Sequence, residues 1–217
     1  MRTSPLPWWA YLCPAVALIA ATAALDHLPP TMAVHFDAAG HPDGFLPRLA
    51  GAFILPGMMT ALLALWHVLW RIDPRREAYA HFWSTYRFVG GLLQAFLLAI
   101  SLWVLARNLG FGIAGPGWLG LFVGLLWLLL ANLLPRVEPN WWMGVRTPWT
   151  LSDPAVWRAT HRFAGSLGVA AGLGLVAAAV VLPDRWLAWV TLGAVGAWAL
   201  AAVVASYWFY AVRRPHV

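Results

Sequence analysis

Six apolar runs, each long enough to cross a bilayer, limit what this chain can fold into more than any other feature. They are Trp8–Leu25, Leu49–Trp70, Phe88–Ala106, Trp118–Leu134, Phe163–Leu182 and Trp186–Tyr210. A spanning helix needs about 20 apolar residues, because each residue rises 1.5 Å through roughly 30 Å of hydrocarbon. With 62% hydrophobic and 10% charged residues, the chain has too little polar surface to cover a soluble globule. The expected fold is all-α: one polytopic membrane domain, 1–217, of six transmembrane helices. Residues 1–25 read as a retained first span rather than a cleaved leader, because the apolar run exceeds the usual leader core.

Charge supplies the topology. All fourteen basic residues are arginines. Eleven of them (Arg2, Arg71, Arg75, Arg76, Arg87, Arg136, Arg146, Arg158, Arg162, Arg213 and Arg214) fall at alternate ends of the spans. Arg48, Arg107 and Arg185 fall at the other ends. The positive-inside rule then places both termini in the cytoplasm. The net charge of +6 is accounted for by this distribution, so the lipid bilayer is the expected partner and direct nucleic-acid binding is not expected. The single Cys13 excludes an intrachain disulfide.

The connecting segments carry the remaining information. Residues 26–48 form an outside loop broken by Pro29-Pro30, Gly40 and Pro42-Asp43-Gly44. His35, Asp37, His41 and Asp43 are all possible metal ligands, but their spacing matches no defined zinc motif, so no metal and no cofactor is expected. In the loop 71–87, Asp73-Pro74 reads as an N-cap followed by proline at the first helical position. Asp153-Pro154 repeats the device. Thr85-Tyr86-Arg87-Phe88-Val89-Gly90 and Thr160-His161-Arg162-Phe163-Ala164-Gly165 then repeat it further, which suggests parallel repeats of two hairpins. Gly168 and Gly172 form a small-residue face for an internal helix contact, with Gly193 and Ala197 at matching spacing on the last span.

The segment 135–163 is dense in Trp, Arg and Pro. Pro135 and Pro139 should stop the fourth span. Gly144 permits a turn that a larger residue would strain, and Pro148 keeps Thr147 extended. Asp153-Pro154 should open a short amphipathic cytoplasmic helix before the fifth span, with Trp157 and His161 on one face. Trp141, Trp142 and Trp149 suit the headgroup region. Asn132 should bond to a neighbouring helix or cap the loop, since an unpaired amide there is costly. Arg146 can fork onto a lipid phosphate, onto Glu138 or onto helix-end carbonyls, fixing the loop against the fourth span near Asn132. No charged residue lies mid-span, which disfavours a pump. No Ser/His/Asp constellation with defined spacing suggests an enzyme. His67 and Gln94 are the nearest membrane-embedded candidates and read as helix-packing groups.

These residues resemble a known family. Asn132, Asn140, the run Gly144 to Leu151, Val156-Trp157 and Arg162-Phe163 look like the signature of the SdpI-type bacterial immunity proteins, which protect cells from the sporulation-delaying (Sdp) peptide toxin. Within the run, Arg146, Thr147, Pro148, Trp149, Thr150 and Leu151 form its core, with Val156-Trp157 at a fixed spacing beyond it. Ala131 departs from the pattern, where relatives often carry glycine. Leu28-Pro29, Val34-His35-Phe36, Gly40 and Pro42-Asp43-Gly44 resemble an N-terminal module of unknown function that accompanies this family. The resemblance implies a two-span module over 1–70 and an immunity-family region over 116–217. It also implies a multi-pass protein of the bacterial plasma membrane that protects without catalysis. Its partners would be a secreted peptide toxin and a cytoplasmic transcriptional repressor. His35, Gly40 and Asp43 would then face the toxin. The competing reading is a small transporter or flippase for an amphipathic solute.

Overall fold

The computed structural model describes residues 3–37, 40–111 and 117–213; Arg2 and Arg214 lie outside them. The elements run α1 (Leu12–Ala24), β1 (Thr31–Phe36), β2 (Pro42–Pro47), α2 (Arg48–Ile72), α3 (Tyr79–Asn108), α4 (Gly117–Leu133), α5 (Pro148–Ser152), α6 (Pro154–Val181) and α7 (Asp184–Arg213). Single 3-10 turns, Trp8–Tyr11 and Leu25–His27, extend α1 at both ends. Six of these helices are long and apolar enough to cross a membrane. The fold is all-α and polytopic, as the apolar runs require.

Two boundaries differ from expectation. α3 begins nine residues before Phe88 and α6 nine before Phe163, so polar first turns continue straight into the spans. Asp153 therefore caps the fifth span itself, its Oδ1 accepting the Ala155 N–H at 2.7 Å. The short helix before that span is instead α5, capped by Thr147. Periodicity in residues 154–162 could not separate a short helix from the first turns of a long one, because both have the same 3.6-residue repeat. α3 bends at Phe82, whose φ of −130° and ψ of 27° interrupt the helix.

The loop 26–48 is an antiparallel hairpin rather than an irregular loop. Its register pairs Thr31 with Pro47 and His35 with Gly44, with irregularities on either side of His35. A Cβ on Gly44 would stand 2.7 Å from that of His35, so only glycine fits opposite it. The Asn108 side chain at the end of α3 completes the hairpin. Its Oδ1 accepts the Ala33 N–H at 2.8 Å and its Nδ2 donates to the Ala33 carbonyl at 2.9 Å. Leu28 and Met32 anchor the hairpin in a core with Ala21, Ala52, Trp103, Val104 and Leu105.

Helices α1, α2 and α3 pack on one another, and α6 packs between α4 and α7. Glycines set the second group's spacing. A Cβ on Gly172 would meet the Leu128 backbone at 2.7 Å, and one on Gly168 would meet the Ala131 Cβ at 2.7 Å. Such approach suits lipid, where dispersion rather than hydrophobic gain drives helix association. The small face of α6 thus serves α4. Gly193 on α7 has open space beside it, so the expected match between Gly168-x-x-x-Gly172 and Gly193 does not form. A core of Leu6, Ala10, Trp66, Tyr79, Phe82, Tyr86, Val89, Leu133, Val137 and Trp157 joins the two groups at the arginine-rich end.

Candidate functional site

The signature loop between α4 and α6 is held by its own polar side chains. Asn140 is fully buried and uses all its hydrogen-bonding capacity on the backbone. Its Oδ1 accepts the N–H groups of Trp142 (2.8 Å) and Met143 (2.7 Å). Its Nδ2 donates to the carbonyls of Glu138 (2.9 Å) and Met143 (3.1 Å). A buried amide satisfied in this way fixes one backbone path, because every alternative leaves polar atoms unpaired.

Gly144 follows with a φ of +104°, a region that disfavours side chains. It is required a second time by contact: a Cβ there would stand 2.2 Å from His161 Nε2. That imidazole is fully buried and stacks on Trp157 with centroids 4.0 Å apart. Its Nδ1 donates to the Trp157 carbonyl at 2.9 Å, and its Nε2 accepts the Val145 N–H at 3.1 Å. This arrangement needs the neutral Nδ1–H tautomer. The Trp157 indole donates to the Val137 carbonyl at 2.7 Å. One face of α6 therefore holds both limbs of the loop.

Thr147 is extended, with φ −99° and ψ 162°, as Pro148 requires. It forms a reciprocal cap with Thr150: Thr150 N–H donates to Thr147 Oγ1 (3.2 Å) and Thr147 N–H to Thr150 Oγ1 (2.9 Å). Thr150 Oγ1 donates to the Val145 carbonyl at 2.8 Å. Thr147 Oγ1 donates to Ser206 Oγ at 3.1 Å, and Ser206 Oγ to the Val203 carbonyl at 2.7 Å. Trp149 lies edge-on to Tyr207 at 5.1 Å. The Thr-Pro-Trp-Thr core thus ties the loop to α7.

A second set of bonds reaches across to the α2–α3 connection. Asp73 is buried. Its carboxylate accepts Arg75 N–H (2.7 Å), Tyr79 O–H (2.8 Å) and Trp141 N–H (3.0 Å). Arg75 Nη2 donates to the Leu151 carbonyl at 2.8 Å, capping the end of α5.

Two expectations are corrected. Asn132 is exposed on α4 and makes no side-chain bond to a neighbouring helix among the described residues; Asn140 performs the loop capping. Asn132 lies one residue from the helix end, where a terminal amide can face interfacial water without cost. Arg146 is also exposed, and its Nη1 donates to the Trp141 carbonyl within the loop. It neither pairs with Glu138 nor reaches α4, because the Gly144 turn folds it back over its own loop. Arg162 is exposed as well. Tyr79 and Ser206 complete the site beyond the residues singled out from sequence. From sequence, Thr150 reads only as part of the signature run, His161 as sharing a face with Trp157, and Asp73 as an N-cap.

On the hairpin, His35 Nδ1 lies 2.6 Å from Asp43 Oδ1, and His41 Nδ1 lies 3.3 Å from Asp37 Oδ2. These are two separate pairs. Among the described residues no three His, Cys, Asp or Glu side chains converge as metal ligands would. Gly40, at the hairpin tip with φ +83°, makes the turn. Within the bundle, Gln94 is buried and its Nε2 donates to the Met59 carbonyl at 2.9 Å. His67 accepts from or donates to Tyr11 OH at 3.0 Å and bonds the Leu63 carbonyl at 2.7 Å.

Comparison with known proteins gives two family matches. The model of the SdpI/YfhL protein family matches residues 136–206, which spans the loop, α5, α6 and most of α7. The model of a domain of unknown function, DUF1648, matches residues 12–60, from α1 through the hairpin into α2. The chain is similar to the Immunity protein SdpI of Bacillus subtilis (strain 168), 23% identical over 185 residues, or 85% of this chain and 86% of that protein. No solved structure matches it. The chain thus resembles DUF1648 over residues 12–60 and the SdpI/YfhL family over residues 136–206, in one protein of six membrane-length helices.

Proposed function

We propose that this protein is a bacterial membrane immunity protein, acting by binding rather than by catalysis against an extracytoplasmic peptide toxin. The observation that carries the reading is how the signature loop uses its polar groups. Asn140, Thr147, Thr150 and His161 all bond the loop's own backbone or a neighbouring helix. Side chains committed in this way build a rigid surface. The similarity to an immunity protein over most of both chains agrees with that role. In this reading the hairpin with His35, Gly40 and Asp43 faces the toxin. The loops 71–87 and 135–162, with Arg146, Trp149 and Arg162 at the surface, face the cytoplasm and dock a repressor. A transporter would need a polar path between helices. The cavity of about 290 Å³ beside the loop is instead lined by Val89, Leu130, Leu134, Val137, Met143 and other apolar groups, which favours binding.

The test is survival. Expressed in a sensitive bacterium that lacks its own immunity gene, the protein should raise survival on exposure to purified Sdp toxin. Sensitivity equal to the empty vector, at membrane levels where the Bacillus relative protects, would overturn the reading. Arg146→Lys sharpens it. The guanidinium bonds Trp141 through one nitrogen and leaves its remaining donors at the surface, where Lys offers no planar fork. The Lys variant should accumulate normally and lose most protection; full protection would remove Arg146 from the binding surface.

A further inference from the structure

The connection between α2 and α3 and the signature loop border an open cleft of about 560 Å³ with charged side chains on its walls. Its walls carry Arg75, Arg76 and His81 from one side, with Glu77 beside them and Glu138 opposite. Pro74, Pro139 and Pro154 make three of its corners, so its rim is held by residues of fixed φ. The floor is the bonded seam described above, where Asp73 accepts the Trp141 N–H and Arg75 caps Leu151. The two arginines and two glutamates give the cleft no net charge. Among the described residues, Arg76, Glu77, His81 and Glu138 make no ion pair with one another. Opposite charges therefore border one cavity without meeting across it.

The position narrows the ligand. The cleft lies where α2 ends and α3 begins, with Ile72 exposed at the end of α2 and Trp141 and Trp142 exposed just after Pro139 in the chain. Exposed indoles at the ends of membrane helices sit at headgroup depth. A ligand matching this cleft carries a phosphate for Arg75, Arg76 and His81 and a cation for Glu77 and Glu138. A primary ammonium offers three donors to carboxylates, whereas a trimethylammonium offers none. We propose that the cleft is a binding site for the zwitterionic headgroup of a phosphoethanolamine lipid. An anionic glycerol headgroup would satisfy the arginines and leave both glutamates facing like charge. A bound headgroup would bridge the two loops at the seam between the halves of the molecule. This site is independent of any toxin.

The full chain, purified in detergent and given equal amounts of phosphatidylethanolamine, phosphatidylcholine and phosphatidylglycerol with identical acyl chains, can be examined by native mass spectrometry. Phosphatidylethanolamine adducts should exceed the other two by about two- to fivefold, the range of an exposed ion pair. Glu77→Gln with Glu138→Gln should bring phosphatidylethanolamine down to the phosphatidylcholine level without loss of thermal stability. Arg76→Gln should weaken all three lipids. Equal retention of the three, dominance of phosphatidylglycerol, or an undiminished preference in the double glutamine variant would overturn the assignment. Soluble O-phosphoethanolamine should not compete at millimolar concentration, since it lacks the acyl chains that hold a lipid at this depth. Full displacement by it would assign the cleft to a free metabolite and overturn the lipid.

Discussion

At the scale of single residues, the signature divides into side chains that shape the loop and side chains that it displays. Asn140 and Gly144 belong to the first group. Removing the Asn140 amide leaves several part-buried backbone groups unpaired, each costing up to about 1–3 kcal/mol. Asn140→Ala should therefore lower the thermal midpoint in detergent markedly, and Gly144→Ala should do the same through its positive φ and its clash with His161. Asn132→Ala, on an exposed helix surface, should change stability by less than about 0.5 kcal/mol. Equal effects of the two asparagine variants in a thermal unfolding assay would refute this division. The sequence displayed both asparagines alike. Only the fold tells them apart, because burial depends on which way α4 turns as it ends.

At the scale of elements, helix approach depends on which glycines find a neighbour. Gly172 of α6 abuts the Leu128 backbone, and Gly168 abuts Ala131. That contact absorbs the Ala131 departure: its Cβ fills the space that Gly168 leaves. Gly172→Ala should separate α6 from α4 and lower stability in detergent, since the clash is with main chain that cannot rotate away. Gly193→Ala and Gly174→Ala meet open space, so they should be neutral or gain up to about 1 kcal/mol of helix propensity. Thermal unfolding of the three variants side by side checks the ordering. A stable Gly172→Ala would mean that α4 and α6 pack less closely. The matched strings in the first turns of α3 and α6, and the Asp-Pro pairs before them, have a matching geometry. Asp73 and Asp153 each accept the N–H two residues on, at 2.7 Å. Gly90 and Gly165 each admit the preceding span, through Trp66 and Pro135 respectively. The hairpin α2–α3 and the pair α4–α6 therefore use one packing device twice.

At the scale of the molecule, the bonded loops and the β-hairpin occupy opposite ends of the helices. From the arginine asymmetry we propose that the loop end faces the cytoplasm. In intact cells a membrane-impermeant thiol reagent should therefore label a cysteine placed at Gly40 and not one placed at Ser152, both built on Cys13→Ser. Labelling at Ser152 alone would invert the topology. The seam couples the two halves at this same end, joining the α2–α3 connection to the signature loop through the buried Asp73 carboxylate and the Arg75 guanidinium.

The sequence alone determined the number of spans and the ends that carry arginine. It also determined the position of the signature loop. All of these rest on local composition, and the cost of placing polar backbone or charge in hydrocarbon applies to each segment independently of the others. The extent of α3 and α6, the hairpin within residues 26–48 and the roles of Asp73, His161 and Ser206 were decided by tertiary structure. Their bonds join residues far apart in the chain: Ala33 and Asn108 are 75 positions apart, and Asp73 and Trp141 are 68. No local pattern distinguishes an aspartate that caps one helix from an aspartate that also holds a distant loop. That distinction arises only when packing brings the second donor within reach and removes the water that would otherwise compete for it.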